Sequence, residues 1–292
     1  MTMRILIVNK FLYLRGGDCV HSLNLKQLLR NAGHDVCFYA MSYSQNIVCE
    51  ENKYFAEEIS FSAKDLQGKI KAASRIIWGI GVVQNFKKLL EEFQPDVVHL
   101  NNIHSYLSPI VAKLAYQRGV KVIWTLHDYK LICPSYSCLC KGNTCEACFT
   151  DKKHVVLRKC MKNSFPASIL AWGEAMNWNK NKLSLWTNSF ICPSQFMAEK
   201  MQQGGYPASK LQVISNFIGE EQVQYIINTP NPIREEAYAY IGRLSQEKGV
   251  ESLLKAASRL PYKLYIAGRG PLENYLQQNY VSPNIVFLGQ LS

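Results

Sequence analysis

Short apolar segments alternate along the chain with longer segments whose apolar residues recur at helical spacing. The apolar runs predict buried strands and the amphipathic stretches predict helices. Repeated strand–helix–strand order with nearly continuous apolar strands is typical of a parallel sheet with helices on both faces, so the predicted class is α/β. The predicted strands are Ile5–Val8, Asp35–Met41, Asp96–Leu100, Val120–Thr125, Phe190–Cys192, Gln212–Ile214, Ala237–Ile241, Lys263–Ala267 and Ile285–Leu288, and the predicted helices are Asp18–Asn31, Leu107–Arg118, Val250–Leu260 and Leu272–Gln278.

The alternating pattern loosens between Gly219 and Glu236, where Pro230 and Pro232 lie close together. Such a stretch is typical of an interdomain linker. The sequence therefore predicts an N-terminal domain over residues 1–218, a linker over 219–236 and a C-terminal domain over 237–292. The second domain is too short to complete a doubly wound sheet, and we expect it to be partial.

Composition and charge narrow the class of partner. The chain has 292 residues, of which 48% are hydrophobic, and its net charge is +11. A basic balance favours nucleic acid, an anionic membrane or phosphorylated ligands, although it also suits a solubilising surface. No nucleic-acid-binding motif is visible, so we expect no nucleic-acid partner. The apolar core of Met3–Lys10 is too short for a signal peptide and no run could span a bilayer, which predicts a cytoplasmic protein.

The turn Gly242–Gly249 carries the clearest chemistry. It follows an apolar strand, leads into a predicted helix and contains Arg243 and Lys248. Backbone N–H groups and the helix dipole at such a turn favour phosphate. Two cations would neutralise a diphosphate without a metal. The alternative is a solvated helix start.

Three segments, GRLSQEKGVESLLKAASRL, YKLYIAGRGPLENYL and NIVFLGQLS, resemble the C-terminal domain of family 4 retaining glycosyltransferases of the GT-B fold. The N-terminal half agrees with this resemblance through Met3–Val8 with Arg15-Gly16-Gly17, Pro95–Asn101, Thr125–Asp128, and Cys192–Ser194 with Val213–Asn216. The resemblance implies two Rossmann-like domains facing a cleft. The paired glutamates of that family would lie beyond Ser292, so we expect this truncated chain to lack part of the donor site and to be inactive.

The resemblance also implies a reaction. A sugar would pass from a UDP- or GDP-sugar to a saccharide or lipid-linked acceptor with retention and without a catalytic metal, in the synthesis of a surface polysaccharide such as capsule, O-antigen or exopolysaccharide. In this scheme Arg243 and Lys248 stabilise the leaving diphosphate, and Gly16, Gly17 and Gly242 let the backbone approach it. His127 contacts the donor sugar or its phosphate, and Asp128 orients His127 or holds an acceptor hydroxyl. Further residues expected at the cleft are Asn101, Asn102, Gly268, Arg269 and Gly270, with His99 and His104 as weaker candidates.

Each of these residues has a structural alternative. The glycines and asparagines are common turn formers, and a histidine after a strand is often a buried side chain whose hydrogen bonds are satisfied within the protein.

A sugar-nucleotide epimerase of the same shape is an alternative enzyme, but it would need acid and base carboxylates that cannot be placed. A dinucleotide dehydrogenase is disfavoured because no Gly-x-Gly-x-x-Gly follows the first strand.

A cysteine cluster, within about residues 133–160, forms the predicted insertion of the first domain. Thiolates at this spacing suit a structural tetrahedral zinc, while disulfides are disfavoured in a cytoplasmic chain. The alternatives are small apolar packing residues and redox bystanders. A zinc-bearing scaffold without catalysis is the rival function. The cysteines are Cys133, Cys138, Cys140, Cys145, Cys148 and Cys160.

A basic stretch with tryptophans follows the cysteines. It suits either contact with an anionic membrane or a lipid-diphosphate acceptor, or an ordinary amphipathic helix whose aromatic rings pack on the sheet. The residues are Lys152, Lys153, Arg158, Lys159, Lys162, Trp172, Trp178, Lys180, Lys182 and Trp186.

Overall fold

The structure is a computed structural model that describes residues 1–61, 65–230 and 236–291. The chain divides into two compact units, Met1–Gln224 and Tyr225–Ser292. Among the helices of the described residues, none is long and apolar enough to cross a bilayer.

The first unit is built on a six-stranded parallel sheet, in the order β2-β1-β3-β4-β7-β8. The two remaining strands of this unit, β5 and β6, pair with each other as a short antiparallel hairpin. The strands of the unit are β1 (Arg4–Val8), β2 (Asp35–Tyr39), β3 (Val97–Leu100), β4 (Lys121–Thr125), β5 (Leu139–Cys140), β6 (Asn143–Thr144), β7 (Ser189–Cys192) and β8 (Leu211–Val213).

Helices connect these strands, and both predicted helices of this unit are present, the second shortened at both ends. Gly33 takes a φ of +83°, a conformation that costs other residues energy, and it lies two residues after the end of α1 and two residues before β2. The helices are α1 (Gly17–Asn31), α2 (Leu66–Trp78), α3 (Val83–Phe93), α4 (Ile110–Gln117), α5 (His154–Leu157), α6 (Phe165–Asn177), α7 (Lys180–Trp186) and α8 (Gln195–Gln203).

The core of the first unit lies on its central strands. Leu6, Ile7 and Val8 of β1 are completely buried, as are Val98 and Leu100 of β3. Strands that are apolar at consecutive positions are buried on both faces, which is the arrangement that parallel sheets require.

The predicted linker contains a helix. Residues Glu220–Asn228 form α9, and the boundary between the two units falls inside it. The apolar residues Val223, Ile226 and Ile227 give this segment a helical period that the nearby prolines obscured. Pro230 follows its C-terminus, while Pro232 lies outside the described residues.

The second unit contains three parallel strands in the order β11-β10-β9. These are β9 (Ala237–Ile241), β10 (Lys263–Ala267) and β11 (Ile285–Gly289), joined by α10 (Val250–Ala257) and α11 (Glu273–Asn279). Its small core is formed by residues such as Leu254, Leu264, Ile266 and Leu276, all completely buried.

Candidate functional site

The carboxyl ends of β1, β3 and β4 meet at one edge of the first sheet, where parallel α/β sheets place ligand contacts. Asn101 connects the three strands there. Its N–H donates to Val8 at 2.9 Å, its carbonyl accepts from the Trp124 indole at 3.0 Å, and its Oδ1 lies 3.0 Å from His127 Nε2. The sequence-predicted Asn101 and His127 are therefore brought together. Asn102 braces the same edge through its N–H, which donates to Asn9 Oδ1 at 3.1 Å.

His127 is held as a neutral imidazole. Burial, and to a smaller extent the nearby His21, together lower its pKa to about 4. With Asn101 Oδ1 as acceptor, His127 Nε2 carries the proton. Asn101 Nδ2 is buried and has no partner among the described residues. A hydroxyl or phosphate oxygen of a ligand beside His127 could accept a hydrogen bond from this unpartnered amide.

His21 is a functional candidate that the sequence interpretation missed. It lies on α1, and its ring meets that of His127 edge-on at 5.1 Å. Its Nδ1 is buried without a partner among the described residues. The available signal was its spacing of one helical turn from Gly17, the first residue of α1. Lys10 and Asp18 form an ion pair of 3.3 Å beside this group.

Asp128 does not orient His127, as one interpretation of the sequence expected. Its Oδ1 accepts the N–H of Lys130 at 2.8 Å, which closes a turn after β4. Burial raises the pKa of its carboxyl. The group that contacts the His127 ring nitrogen is the Asn101 side chain.

His99 is buried and His104 is half-buried at this edge. His99 Nε2 lies 2.8 Å from Thr125 Oγ1, and the His104 ring stacks on Trp124 at 5.3 Å. Burial lowers the pKa of His99 to about 3 and that of His104 well below its ordinary value.

The lowered pKa values of these two histidines predict that the fold loses stability in acid. Because the folded-state pKa of His99 lies below the unfolded value of about 6.5, the unfolded chain binds the proton first as pH falls. We expect the free energy of unfolding to fall from about pH 6.5 downward, by up to ~1.4 kcal/mol per pH unit for each such histidine. Urea titrations at several pH values give the free energy of unfolding at each pH. This free energy should fall less steeply with decreasing pH in His99→Gln than in the wild type. An unchanged slope would contradict the buried neutral state.

Gly16 and Gly17 lie at the start of α1. A Cβ on Gly17 would meet no atom within 4 Å, and one on Gly16 would meet only the Asp18 carboxylate oxygen, at 3.5 Å. The fold of this unit therefore has room for a side chain at both positions, and packing does not explain why they are glycine. The surface in front of them is open to a ligand.

The turn after β9 has the predicted strand-to-helix form. Arg243 and Lys248 are both exposed, and a 3-10 turn over Gln246–Lys248 leads to Gly249 at a φ of +66°, where α10 begins. Glu247 lies between the two cations, and its carboxylate accepts the Ser245 hydroxyl at 2.6 Å. That hydrogen bond is the largest cause that lowers the pKa of Glu247.

The second glycine segment, which includes Gly268, Arg269 and Gly270, packs directly on this turn. Leu244 N–H donates to the carbonyl of Arg269 at 3.0 Å. A Cβ on Gly268 would lie 1.9 Å from the Gly242 carbonyl oxygen, and one on Gly270 would lie 2.2 Å from the Leu244 carbonyl oxygen. Both glycines therefore permit the close approach of two backbone segments at the carboxyl edge of the second sheet.

The cysteine segment brings its thiols together in pairs. Cys138 is the largest cause that lowers the pKa of Cys133, to about 5, and Cys140 contributes to the raised pKa of Cys160, after burial. Cys145 accepts a hydrogen bond from Arg158 at 3.1 Å. Cys148 is buried in a small cluster with Val155 and Ala171.

The sequence matches the family model described as Glycosyltransferase Family 4 over residues 15–222, which is more than half of the chain. The chain belongs to glycosyltransferase family 4. A curated relative from Klebsiella pneumoniae, described as an uncharacterized 42.6 kDa protein in cps region, is 25% identical over 227 residues, covering 74% of this chain. The chain spans about half of that relative, since the match covers 53% of it.

Solved structures share the fold of this family 4 chain. Anabaena HepE in complex with UDP-glucose has a TM-score of 0.57 at 14% identity, covering 99% of this chain and 70% of that one. The catalytic domain of starch synthase IV from Arabidopsis thaliana, bound to ADP and acarbose, has a TM-score of 0.59 at 13% identity, covering 100% and 75%. The predicted fold class, GT-B with two Rossmann-like units, is confirmed.

Two glycines of this family 4 chain should differ in how much an alanine substitution changes the free energy of unfolding. Gly17→Ala should change the free energy of unfolding by at most about 1 kcal/mol, because the added methyl enters open space. Gly270→Ala should lose about 1–3 kcal/mol, because its methyl meets backbone. Thermal unfolding of both variants measures the difference. Equal losses would contradict the packing described for the second unit.

The pairs of thiols do not by themselves fit a tetrahedral zinc. Within the described residues, no group of three or more His, Cys, Asp or Glu side chains is placed to hold a metal ion. Zinc stays a prediction from spacing alone. If the prediction holds, elemental analysis should find about one zinc ion per chain. The zinc should be absent from the Cys145→Ser/Cys148→Ser variant and present in the Cys49→Ser control. Metal-free protein with all ten cysteines titratable would contradict it.

Proposed function

We propose that the protein transfers a sugar from a nucleotide-sugar donor to a saccharide or lipid-linked acceptor, with retention of configuration. The proposed setting is the cytoplasmic synthesis of a surface polysaccharide. The observation that carries the proposal is the exposed cation pair Arg243 and Lys248 on a strand-to-helix turn braced by a second glycine segment.

In this proposal the turn of the second unit binds the donor diphosphate. Exposed cations at the carboxyl edge of a parallel sheet are free to close on phosphate oxygens. As the glycosidic bond to the diphosphate breaks, negative charge grows on the leaving phosphate, and Arg243 and Lys248 stabilise it. The hydrogen bond from the Ser245 hydroxyl occupies an oxygen of the Glu247 carboxylate, which lies between the two cations in the sequence.

The polar edge of the first unit is proposed to orient a sugar. His127, fixed by Asn101, would accept a hydrogen bond from a sugar hydroxyl at Nδ1, while the unpartnered Asn101 Nδ2 would donate one. The open surface in front of Gly17 would admit a phosphate or sugar group close to backbone. No general base is assigned, and the donor's own phosphate is proposed to assist deprotonation of the acceptor.

The comparisons support the donor and the setting at a coarser level. Family membership supports sugar transfer. Solved structures with the same fold contain UDP-glucose or ADP, which supports a nucleotide donor. The Klebsiella relative belongs to a cps region, which supports polysaccharide synthesis.

The test is a panel of UDP- and GDP-sugars offered to the full-length protein, with saturation-transfer NMR for binding and mass spectrometry for products. Binding of one nucleotide-sugar and its hydrolysis or transfer are expected. A folded protein that ignores every nucleotide-sugar and contains stoichiometric zinc would replace this proposal with the scaffold function.

A further inference from the structure

Two neighbouring helices of the first unit present apolar residues to solvent. On α6 these residues recur at positions i, i+4, i+7 and i+11, so they form one stripe along the helix. Trp78 is 64% exposed and Phe165 is 51% exposed, which is unusual for side chains of this size. We define the apolar face as Leu66, Ile70 and Trp78 on α2 with Phe165, Ile169, Trp172 and Met176 on α6.

The two parts of the apolar face adjoin each other. Trp178 at the end of α6 donates its indole N–H to the carbonyl of Ile76 at 2.8 Å, and Asn177 donates to Ile77 at 2.5 Å. A Cβ on Gly173 would lie 3.5 Å from Ile77 Cδ1. The C-terminal parts of the two helices are therefore packed together, with Trp78 and Met176 next in sequence to residues of this contact.

The charges around the apolar face are predominantly basic. Arg158, Lys159 and Lys162 are exposed and precede the first apolar residue of α6. The only acidic residue of α6, Glu174, is turned inward, where Lys130 holds it in a buried ion pair. On α2, Lys69 is exposed and no acidic residue occurs within the helix, although the exposed Asp65 caps its N-terminus and accepts the N–H of Gly68 at 2.7 Å.

We propose that the apolar face docks on an anionic lipid bilayer. Exposed aromatic and aliphatic side chains would enter the headgroup region, while the flanking lysines and arginine meet lipid phosphates. A second protein copy would suit an apolar stripe but would bring the same positive charges together, so charge complementarity selects the membrane. This proposal rests on the surface alone and does not depend on transferase activity.

The structure distinguishes between the two interpretations that the sequence left open for the tryptophans of this region. Trp178 and Trp186 are buried and pack edge-on at 6.2 Å, in agreement with the packing alternative. Lys152 donates to the Ile132 carbonyl at 2.6 Å and Lys153 pairs with Asp151. Of the three tryptophans considered, only Trp172 lies on the apolar face.

Co-sedimentation tests the proposal, with vesicles of phosphatidylglycerol and phosphatidylcholine against vesicles of phosphatidylcholine alone. Wild-type protein should partition onto the anionic vesicles. Phe165→Ser/Ile169→Ser/Trp172→Ser should reduce partitioning at least about tenfold, while Ile47→Ser/Val48→Ser, which removes exposed apolar side chains outside the apolar face, should not. Lys159→Glu/Lys162→Glu should also reduce it at least about tenfold, against no comparable loss for Lys87→Glu/Lys88→Glu, which changes the net charge equally.

Tryptophan fluorescence adds a readout specific to this face. Trp124, Trp178 and Trp186 are buried, so the exposed Trp78 and Trp172 should produce the blue shift on binding. Trp78→Phe/Trp172→Phe should bind vesicles without that shift. Equal partitioning of the wild type and the triple serine variant would overturn the proposal. A stable dimer that the triple variant dissociates, with no vesicle binding, would overturn it in favour of a second copy.

Discussion

Replacing Arg243 with alanine is expected to lower kcat/KM for sugar transfer by about two orders of magnitude. The loss of one cation that stabilises developing charge typically costs ~3 kcal/mol of transition-state stabilisation. Arg243 is exposed, and its hydrogen bonds to the described residues are made by its backbone carbonyl, which accepts from the Tyr240 hydroxyl at 2.9 Å and from the Ser245 N–H at 3.0 Å. Folding should therefore survive the substitution. Steady-state kinetics with the donor identified in the panel measure the change.

The matched control is Arg259→Ala, which removes an exposed arginine of the same unit away from the turn. It should leave kcat/KM within about twofold, because a distant exposed charge is screened. Lys248→Ala should resemble Arg243→Ala. Equal kinetics for Arg243→Ala and Arg259→Ala would remove the turn from the transfer reaction.

The largest expected effect on stability comes from Lys130, which follows the candidate site residue Asp128. Its ammonium lies 2.8 Å from the Glu174 carboxylate, and the two side chains are only 8% and 5% exposed. It also donates to the Pro134 carbonyl at 2.7 Å. Lys130→Ala would leave a buried carboxylate without its cation, and we expect a loss of about 3–5 kcal/mol.

An exposed ion pair of nearly equal length provides the control. Lys71 and Glu57 lie 2.7 Å apart but are 50% and 72% exposed, so Lys71→Ala should cost less than about 1 kcal/mol. Lys130→Met/Glu174→Leu should recover most of the loss, because no buried charge remains. All five tryptophans lie in the first unit, so fluorescence in urea follows that unit. Equal losses for Lys130→Ala and Lys71→Ala would contradict the buried pair.

The central strands could be predicted because burial on both faces leaves a continuous apolar signal, and Lys263–Ala267 matches the structure at both ends. Ala237–Ile241 also matches at both ends because its residues are apolar in succession, although no residue of this strand is fully buried. Met41, predicted as the end of the second strand, lies beyond Tyr39, where β2 ends. Helix α3 was not predicted, although Phe86, Leu89 and Leu90 recur at helical spacing and are buried.

The candidate site was predictable in its residues and only partly in its contacts. Position after a strand places His127 and Asn101 at one sheet edge, but spacing does not state that Asn101 rather than Asp128 contacts the imidazole. His21 was missed because it lies within a helix rather than after a strand. The burial of Trp178 depends on α2, which is distant in sequence and left no local signal.

Calorimetric titration of the full-length protein with UDP, GDP and ADP tests the central claim most directly. Wild-type protein should bind one of these nucleoside diphosphates, Arg243→Ala should lose about two orders of magnitude in affinity, and Arg259→Ala should bind as the wild type does. Binding that is the same in Arg243→Ala, or no binding of any nucleotide by the folded wild type, would contradict the assignment of the Gly242–Gly249 turn as the donor-diphosphate site.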